Sequence, residues 1–223
     1  MTDQKKLVIL TDIGDTIIDE NTEERDGRQV VQRADCIPGA REAYLALHAA
    51  GYPILMVADG LAESFHNLME LHGLSPIFSA WIISETVGED KPSPRMFQAA
   101  FDALGLREED KGRVIMVGNN VLRDMRGANR FGIRSVLMDW SRRRPYEPEL
   151  PEDVPTWRVH SPSELPALAE RLEKALEELE KELLVVRGLE NIYSTREQAG
   201  YLEGKLSINS RGIGFVDFED QES

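Results

Sequence analysis

The sequence has a single cysteine, Cys36, so no disulfide can form within the chain, and this usage fits a reducing compartment. Cys36 reads as a packing residue rather than a nucleophile. Long apolar runs are missing too. Residues 1–6 are polar and only four apolar residues follow, too few for a secretory segment or a membrane span, which points to the cytoplasm and to no membrane partner. Basic residues are in deficit: 26 Lys and Arg against 40 Asp and Glu leave a formal charge of −14 and a pI near 4.8. That balance argues against broad electrostatic binding to nucleic acid or anionic lipid, both of which need a basic footprint. No cysteine or histidine partner stands at metal spacing from His66 or His72, and these read as surface or cap residues.

What is present is chain enough, at 223 residues, for one core and an appendage. The stretch Leu7-Val8-Ile9-Leu10-Thr11-Asp12 reads as a buried strand that stops at a carboxylate, with Gly14 and Asp15 close behind. Asp12 then stands at the carboxyl end of a strand, the edge where open α/β sheets place ligands. The same residues also fit a strand ending in a plain polar turn. Apolar runs at 53–57, 81–83, 114–117 and 135–140 predict four more strands, and helical spacing at 40–50, 62–72, 94–104 and 122–131 separates them. Strands alternating with helices imply right-handed crossovers and a parallel sheet covered on both faces, an α/β fold of Rossmann-like type. Residues 16–19 and 28–33 are β-like across the polar segment 20–27, and read either as a small flap beside Asp12 or as a loop.

The chain divides into an α/β domain over 1–160, a charged amphipathic helix over 161–187 and a tail over 188–223. In the helix Leu165, Ala169, Leu172, Leu176, Leu179, Leu183 and Val186 alternate at spacings of four and three, with Ser161 or Ser163 as cap and Gly188 as the stop. Such a stripe suits pairing with a second helix, for instance in a homo-oligomer. Its first half also fits a helix laid across its own domain, whereas beyond Leu179 a partner is favoured. The tail contains a β-hairpin candidate, 201–208 and 213–218, joined through Asn209-Ser210-Arg211-Gly212. Its block Arg211-Gly212-Ile213-Gly214-Phe215-Val216 is similar to the glycine-aromatic stretch of cold-shock and other OB-type RNA-binding domains, with Ile213 where a stacking aromatic is expected. A nucleic-acid partner rests on that block alone; the other readings are a plain hairpin or the opening fragment of an OB-type domain.

On the sheet so read, Asp12, Ala58, Lys91, Asn119 and Asp124 gather at the carboxyl edge. A carboxylate, a lysine and a second acidic group there suit phosphoryl transfer, in which positioning and charge neutralisation supply most of the catalysis. In this order the chain resembles the haloacid dehalogenase (HAD) superfamily over residues 7–140, most of whose members are magnesium-dependent phosphatases. The motif Asp-x-Asp-Gly-Thr reads Asp12-Ile13-Gly14-Asp15-Thr16, and the strand ending in Thr or Ser reads Val57-Ala58-Asp59-Gly60. Gly-x-x-Lys-Pro is intact as Gly88-Glu89-Asp90-Lys91-Pro92, and Gly-Asp-x-x-x-x-Asp reads Gly118-Asn119-Asn120-Val121-Leu122-Arg123-Asp124.

The resemblance implies that Asp12 attacks phosphorus to form an aspartyl-phosphate while Lys91 neutralises it. The carboxylate two positions on, which would handle the proton, is replaced by Gly14, a loss of about 10² to 10⁴ in rate unless another group serves. Asp15 is the nearest candidate. Ala58 stands where a hydroxyl should bind a phosphoryl oxygen, which costs about 10² to 10³ and leaves the amides of Asp59 and Gly60. The implied Mg2+ ligands are Asp12, the Gly14 carbonyl, Asn119 and Asp124, with asparagine removing one charge from the site. Too few residues separate Asp12 from Ala58, or Ala58 from Lys91, for an inserted cap, so the site is expected to be capless and open to a large phosphorylated substrate or to a partner subunit. Arg142-Arg143-Arg144, after the fifth strand, reads as an ordinary solvated turn or as a cluster that draws anionic ligands toward the site.

Two functions follow: a slow hydrolase of phosphate esters, or a catalytically inactive binding protein assembled through its C-terminal helix. Dehalogenation ranks last. Dehalogenases of the superfamily share the missing second aspartate and the asparagine, but they rely on a helical cap.

Overall fold

The computed structural model describes residues 5–141, 143–144, 146–198, 204–208 and 214–218, with side chains as far as 186. Six strands build one parallel sheet: β1 (Val8–Thr11), β4 (Ile54–Ala58), β5 (Phe78–Ile83), β6 (Val114–Gly118), β7 (Arg134–Met138) and β8 (Trp157–Val159). Their spatial order is β5-β4-β1-β6-β7-β8. The chain leaves β1 toward β4 and β5, then returns to its other side for β6, β7 and β8. That reversal at β1 opens a crevice at the carboxyl ends of β1, β4 and β6.

Continuous apolar runs make these strands because both faces are buried, and alternation sorts their side chains into two cores. Leu7, Ile9, Ile54, Met56, Ile115 and Val117 face one core; Val8, Leu10, Leu55, Val57, Val114 and Met116 face the other. The first is covered by α1 (Ala40–Ala49) through Tyr44 and Leu47, by α2 (Ala62–Leu71) through Phe65, Leu68 and Met69, and by the start of α6 (Leu165–Gln198). The second is covered by α4 (Pro94–Leu104), through Met96, Phe97, Ala100 and Phe101, and by Ala128 of α5 (Arg126–Phe131). Burying side chains as large as Phe97 and Phe101 contributes about 1.5–3 kcal/mol each.

The parallel α/β expectation holds, with differences in detail. β8 was not read from the sequence, and β5 starts at Phe78 rather than at Trp81, preceded by the turn Ser75–Ile77. A short helix, α3 (Ser84–Val87), follows it. A π-type turn, Val121–Met125, leads into α5. The segment between β1 and α1 is a flap of two antiparallel strands, β2 (Glu24–Arg25) and β3 (Val31–Arg33). α2 fastens it: the Val31 amide donates to Ser64 Oγ (2.9 Å), Asn67 Nδ2 donates to the Val31 carbonyl (3.0 Å), and Arg28 pairs with Glu63 (2.7 Å). Cys36 packs against the first core, and burial pushes its thiol up to about 11.

Residues to Leu176 form one compact unit and those from Glu177 another. Leu165, Leu168, Ala169 and Leu172 of α6 are buried in the first core. Glu173 is buried as well, because its two carboxylate oxygens take the amides of Lys6 and Leu7 at the start of β1, each at 2.9 Å. Gly188 does not stop the helix, which runs on to Gln198. One interior glycine costs only about 1 kcal/mol against alanine, and no proline follows to forbid the next turns. In the second unit, β9 (Gly204–Ile208) and β10 (Gly214–Phe218) pair antiparallel, with Gly214 opposite Ile208. The turn expected at 209–212, the strand residues expected at 201–203 and 213, and the first half of the OB-like block lie outside the described residues. Among the described residues no helix is long and apolar enough to cross a membrane.

Candidate active site

Asp12 follows β1 directly, its amide donating to the Val117 carbonyl (2.9 Å), so the central ladder fixes where its side chain begins. Lys91 arrives from the loop before α4 and is almost wholly buried. Its Nζ lies 2.7 Å from Asp12 Oδ1, 2.7 Å from Asp124 Oδ1 and 2.7 Å from the Val57 carbonyl oxygen. Burial alone would lower the lysine pKa, but Asp12, Asp124 and Asp59 together raise it, so the ammonium stays charged. Burial pushes the Asp124 carboxyl up, against the opposing field of Lys91. Asp124 Oδ2 accepts the Asn120 amide (3.0 Å). A Cβ on Gly118 would overlap the Asp124 carboxylate, with Asp124 Cβ only 2.6 Å away, so the end of β6 must be glycine for Asp124 to reach this place.

The centre opens into a cavity of about 180 Å3 lined by Asp12, Gly14, Asp59, Gly60, Lys91, Asn119 and Asp124. The flap adds Glu23, Arg25 and Val31, α2 adds Ser64, Phe65 and Leu68, and Glu20, Arg123 and Arg144 complete the polar wall. Asp59 accepts the Lys91 amide (2.9 Å) and pairs with Arg123 Nη1 (3.0 Å), while burial raises its carboxyl.

Three of the residues singled out from the sequence are placed otherwise than expected. Asp15 has a positive φ of 47°, is 0% exposed and does not line the cavity. Its carboxylate turns to the Glu20 amide (3.2 Å) and Arg143 Nε (3.2 Å), and burial raises it, so it cannot stand in for the missing carboxylate at Gly14. Ala58 is fully buried in β4 and also off the cavity wall. The Gly60 amide, expected to be free for a phosphoryl oxygen, donates to Ser84 Oγ (3.0 Å). In the arginine run, Arg142 lies outside the described residues, Arg143 is engaged by Asp15 and Glu20, and Arg144 lines the cavity.

Sequence reasoning missed Glu20 and the flap side chains. Their one signal was a polar segment beside a motif lacking its second carboxylate.

Asp12, Asp124, Asn119 and the Gly14 carbonyl offer oxygen donors only, the chemistry magnesium takes with one or two carboxylates plus water and substrate phosphate. Asp124 Oδ1 is buried and makes no directed hydrogen bond, close as it is to Lys91. Among the described residues no group of three or more Asp, Glu, His or Cys is arranged for a metal. The donor set therefore fits a magnesium ion completed by its substrate, not one caged by protein alone.

Fold and site together define a doubly wound α/β protein with a carboxylate–lysine–carboxylate centre at its topological switch point. A family model for haloacid dehalogenase-like hydrolases matches residues 2–132, and the chain belongs to that family. Among curated relatives, the glyceraldehyde 3-phosphate phosphatase of Methanopyrus kandleri is 31% identical over 138 residues, 61% of this chain and 58% of its own length. The phosphoserine phosphatase of Thermus thermophilus is 36% identical over 119 residues, 53% of this chain and 45% of that one. A (S)-2-haloacid dehalogenase of Burkholderia cepacia is 30% identical over 139 residues, 62% and 57% of the two chains. The chain thus spans about half the length of the curated relatives it matches. Among solved structures, an uncharacterised Listeria monocytogenes protein superposes with a TM-score of 0.63 at 19% identity, over 75% of this chain and 99% of that one. The HAD-hydrolase YfnB of Bacillus subtilis, solved with magnesium, gives 0.53 at 21% identity, over 60% and 56%. At such identities these two likenesses speak for the fold alone.

Proposed function

We propose that the chain hydrolyses a phosphate ester by attack of Asp12 on phosphorus. The observation that carries this reading is Lys91, held 2.7 Å from both Asp12 and Asp124 at the cavity floor. Its ammonium orients the Asp12 carboxylate and counters the charge that builds on the transferring phosphoryl group. The new bond joins an Asp12 oxygen to phosphorus, the bond to the ester oxygen breaks, and water then releases phosphate from the aspartyl-phosphate. Arg123 and Arg144 stand on the wall to draw an anion in. Asp12, the Gly14 carbonyl, Asn119 and Asp124 would hold a magnesium ion, which supplies charge neutralisation at the phosphoryl oxygens.

The exchange of a hydroxyl for Ala58, of aspartate for Asn119, and the engaged Gly60 amide weaken this site. They favour a slow hydrolase, with a catalytically inactive binding protein as the second reading. Only the flap, the sheet strand β4 and short helices lie between β1 and β5, which supports a capless site open to a large phosphorylated substrate. Beyond the core, Leu179, Leu183 and Val186 are about half exposed, in support of pairing between two chains. A particle of one chain, both for the full protein and for a chain ending after Leu176, would refute that pairing.

Hydrolysis of an aryl phosphate, measured with and without magnesium and in Asp12→Asn, tests the main reading. Turnover abolished by the substitution supports it. No turnover by the unmodified chain, together with no binding of beryllofluoride, would sink it.

A further inference from the structure

Hydrolysis in two steps needs a group that gives a proton to the departing oxygen and takes one from the attacking water. A side chain with that task must line the cavity beside Asp12 and must not be tied to the lysine. Asp124 is held by Lys91 and by the Asn120 amide, and Asp59 by Arg123 and the Lys91 amide, each through both oxygens; Glu23 and Glu20 are each paired with an arginine, and of these two it is Glu20 that stands against Gly14. Asp15 faces away from the cavity. Glu20 is left.

Its position is specific. Ideal geometry for a Cβ at Gly14 would put that atom inside the van der Waals envelope of Glu20 Oε1, with Cδ at 2.9 Å and Cγ at 3.2 Å. The glutamate carboxylate therefore fills the space that a side chain at position 14 would take, two residues from Asp12. The chain is turned back to allow it. The Asp15 amide donates to the Ile18 carbonyl (2.7 Å), Asp15 takes its positive φ there, and Glu20 opens a short turn whose Asn21 amide is capped by the Asp19 carboxylate (2.9 Å). Glu20 Oε2 is held by Arg143 Nη2 (3.0 Å), and Arg143 Nε is held in turn by Asp15 (3.2 Å). Among the described residues no hydrogen-bond donor reaches Oε1, the oxygen turned toward Gly14 and the cavity.

We propose that Glu20 is the general acid–base residue of this site, supplied from six positions downstream in place of a carboxylate at position 14, with Asp15 and Arg143 as positioning residues. The assignment rests on the phosphate-ester reading. In the first step the bond from Asp12 to phosphorus forms, the bond from phosphorus to the ester oxygen breaks, and that oxygen receives the Glu20 proton. In the second, water attacks phosphorus, its proton passes to the Glu20 carboxylate, and the bond to Asp12 breaks, restoring both groups.

The test compares the unmodified chain with Glu20→Gln on para-nitrophenyl, phenyl and ethyl phosphate. A departing nitrophenolate needs little help from an acid, whereas an alkoxide needs much. The kcat/KM loss should therefore grow along the series, by at least about 10² between its ends, within the range general acid catalysis contributes. With para-nitrophenyl phosphate the variant should also release a burst of nitrophenolate equal to the enzyme present, because the second step is slowed. A second pair guards against misfolding: Glu20→Ala with Gly14→Asp should recover at least tenfold of the activity on ethyl phosphate lost in Glu20→Ala alone, since the collision at position 14 is gone. Equal losses on all three esters, or no recovery in the double variant, would overturn the assignment while leaving the phosphate-ester reading intact. If the unmodified chain turns over none of the esters, the Glu20 assignment falls, and if it also binds no beryllofluoride the phosphate-ester reading falls with it.

Discussion

Replacing Lys91 with methionine probes the centre at its least exposed point. The lysine side chain is 2% exposed and the Asp124 side chain 1%, with 2.7 Å between the charged atoms. Methionine has similar length but no charge, so Asp124 is left buried with only the Asn120 amide to stabilise it. Removing one member of a buried ion pair costs roughly 3–5 kcal/mol, because the remaining charge has lost its compensation without regaining water. For a chain of this size 1 kcal/mol shifts Tm by about 2–4 °C, so Lys91→Met should melt roughly 6–20 °C lower. The decisive comparison adds Asp124→Asn and the double variant, all four proteins being unfolded in urea under the same conditions. Lys91→Met/Asp124→Asn should be more stable than Lys91→Met alone, since the orphaned charge has gone, and the coupling between the two sites should exceed about 1 kcal/mol. Additive effects, or a Lys91→Met protein as stable as its parent, would refute the view that charge compensation holds this centre together.

Other outcomes follow from features away from the centre. Asp153 is buried beneath Arg126 Nε (2.7 Å) and Nη2 (2.9 Å), and the guanidinium holds its carboxyl down to about 2. A depressed carboxyl stabilises the fold above its unfolded value and loses that contribution as pH falls through the folded one, here between about pH 4 and 2. Acid titration of stability should show this as a slope that Asp153→Asn removes, worth about 2 kcal/mol at neutral pH. Gly118→Ala should cost about 1–3 kcal/mol in a urea titration, by forcing the Asp124 carboxylate from its place. Along α6, Leu172→Ala should cost about 2–5 kcal/mol, as a cavity in the first core. Leu183→Ala, about half exposed, should stay within about 0.5 kcal/mol as measured at low protein concentration.

The parallel sheet was legible because strands buried on both faces are written as unbroken apolar runs, and β1, β4 and β6 carry them. β8 escaped because three residues, Trp157, Arg158 and Val159, hold no periodicity to read, and only pairing with β7 makes them a strand. The meeting of Asp12, Lys91 and Asp124 was foreshadowed by motif spacing, since each follows a readable strand or loop signal. Asp15 and Glu20 were not separable in this way: which carboxylate faces the cavity depends on a turn with positive φ, and no local pattern announced it. Gly188 misled for a related reason, glycine being a frequent stop but a weak barrier. Nothing in the spacing of the C-terminal helix marks Glu173, and only the two amides it meets explain its burial.

The Glu173 contact has a temporal consequence. Leu7 and the carboxylate that completes its hydrogen bonding are separated by 166 positions, so the middle of the sheet cannot be finished by the first half of the chain. During synthesis the bonds that Glu173 makes at the start of β1 wait until that residue leaves the ribosome, and a contact closing so large a loop slows folding. Order of assembly is thereby tied to completeness, because the oldest strand is sealed by nearly the youngest residue of its own domain.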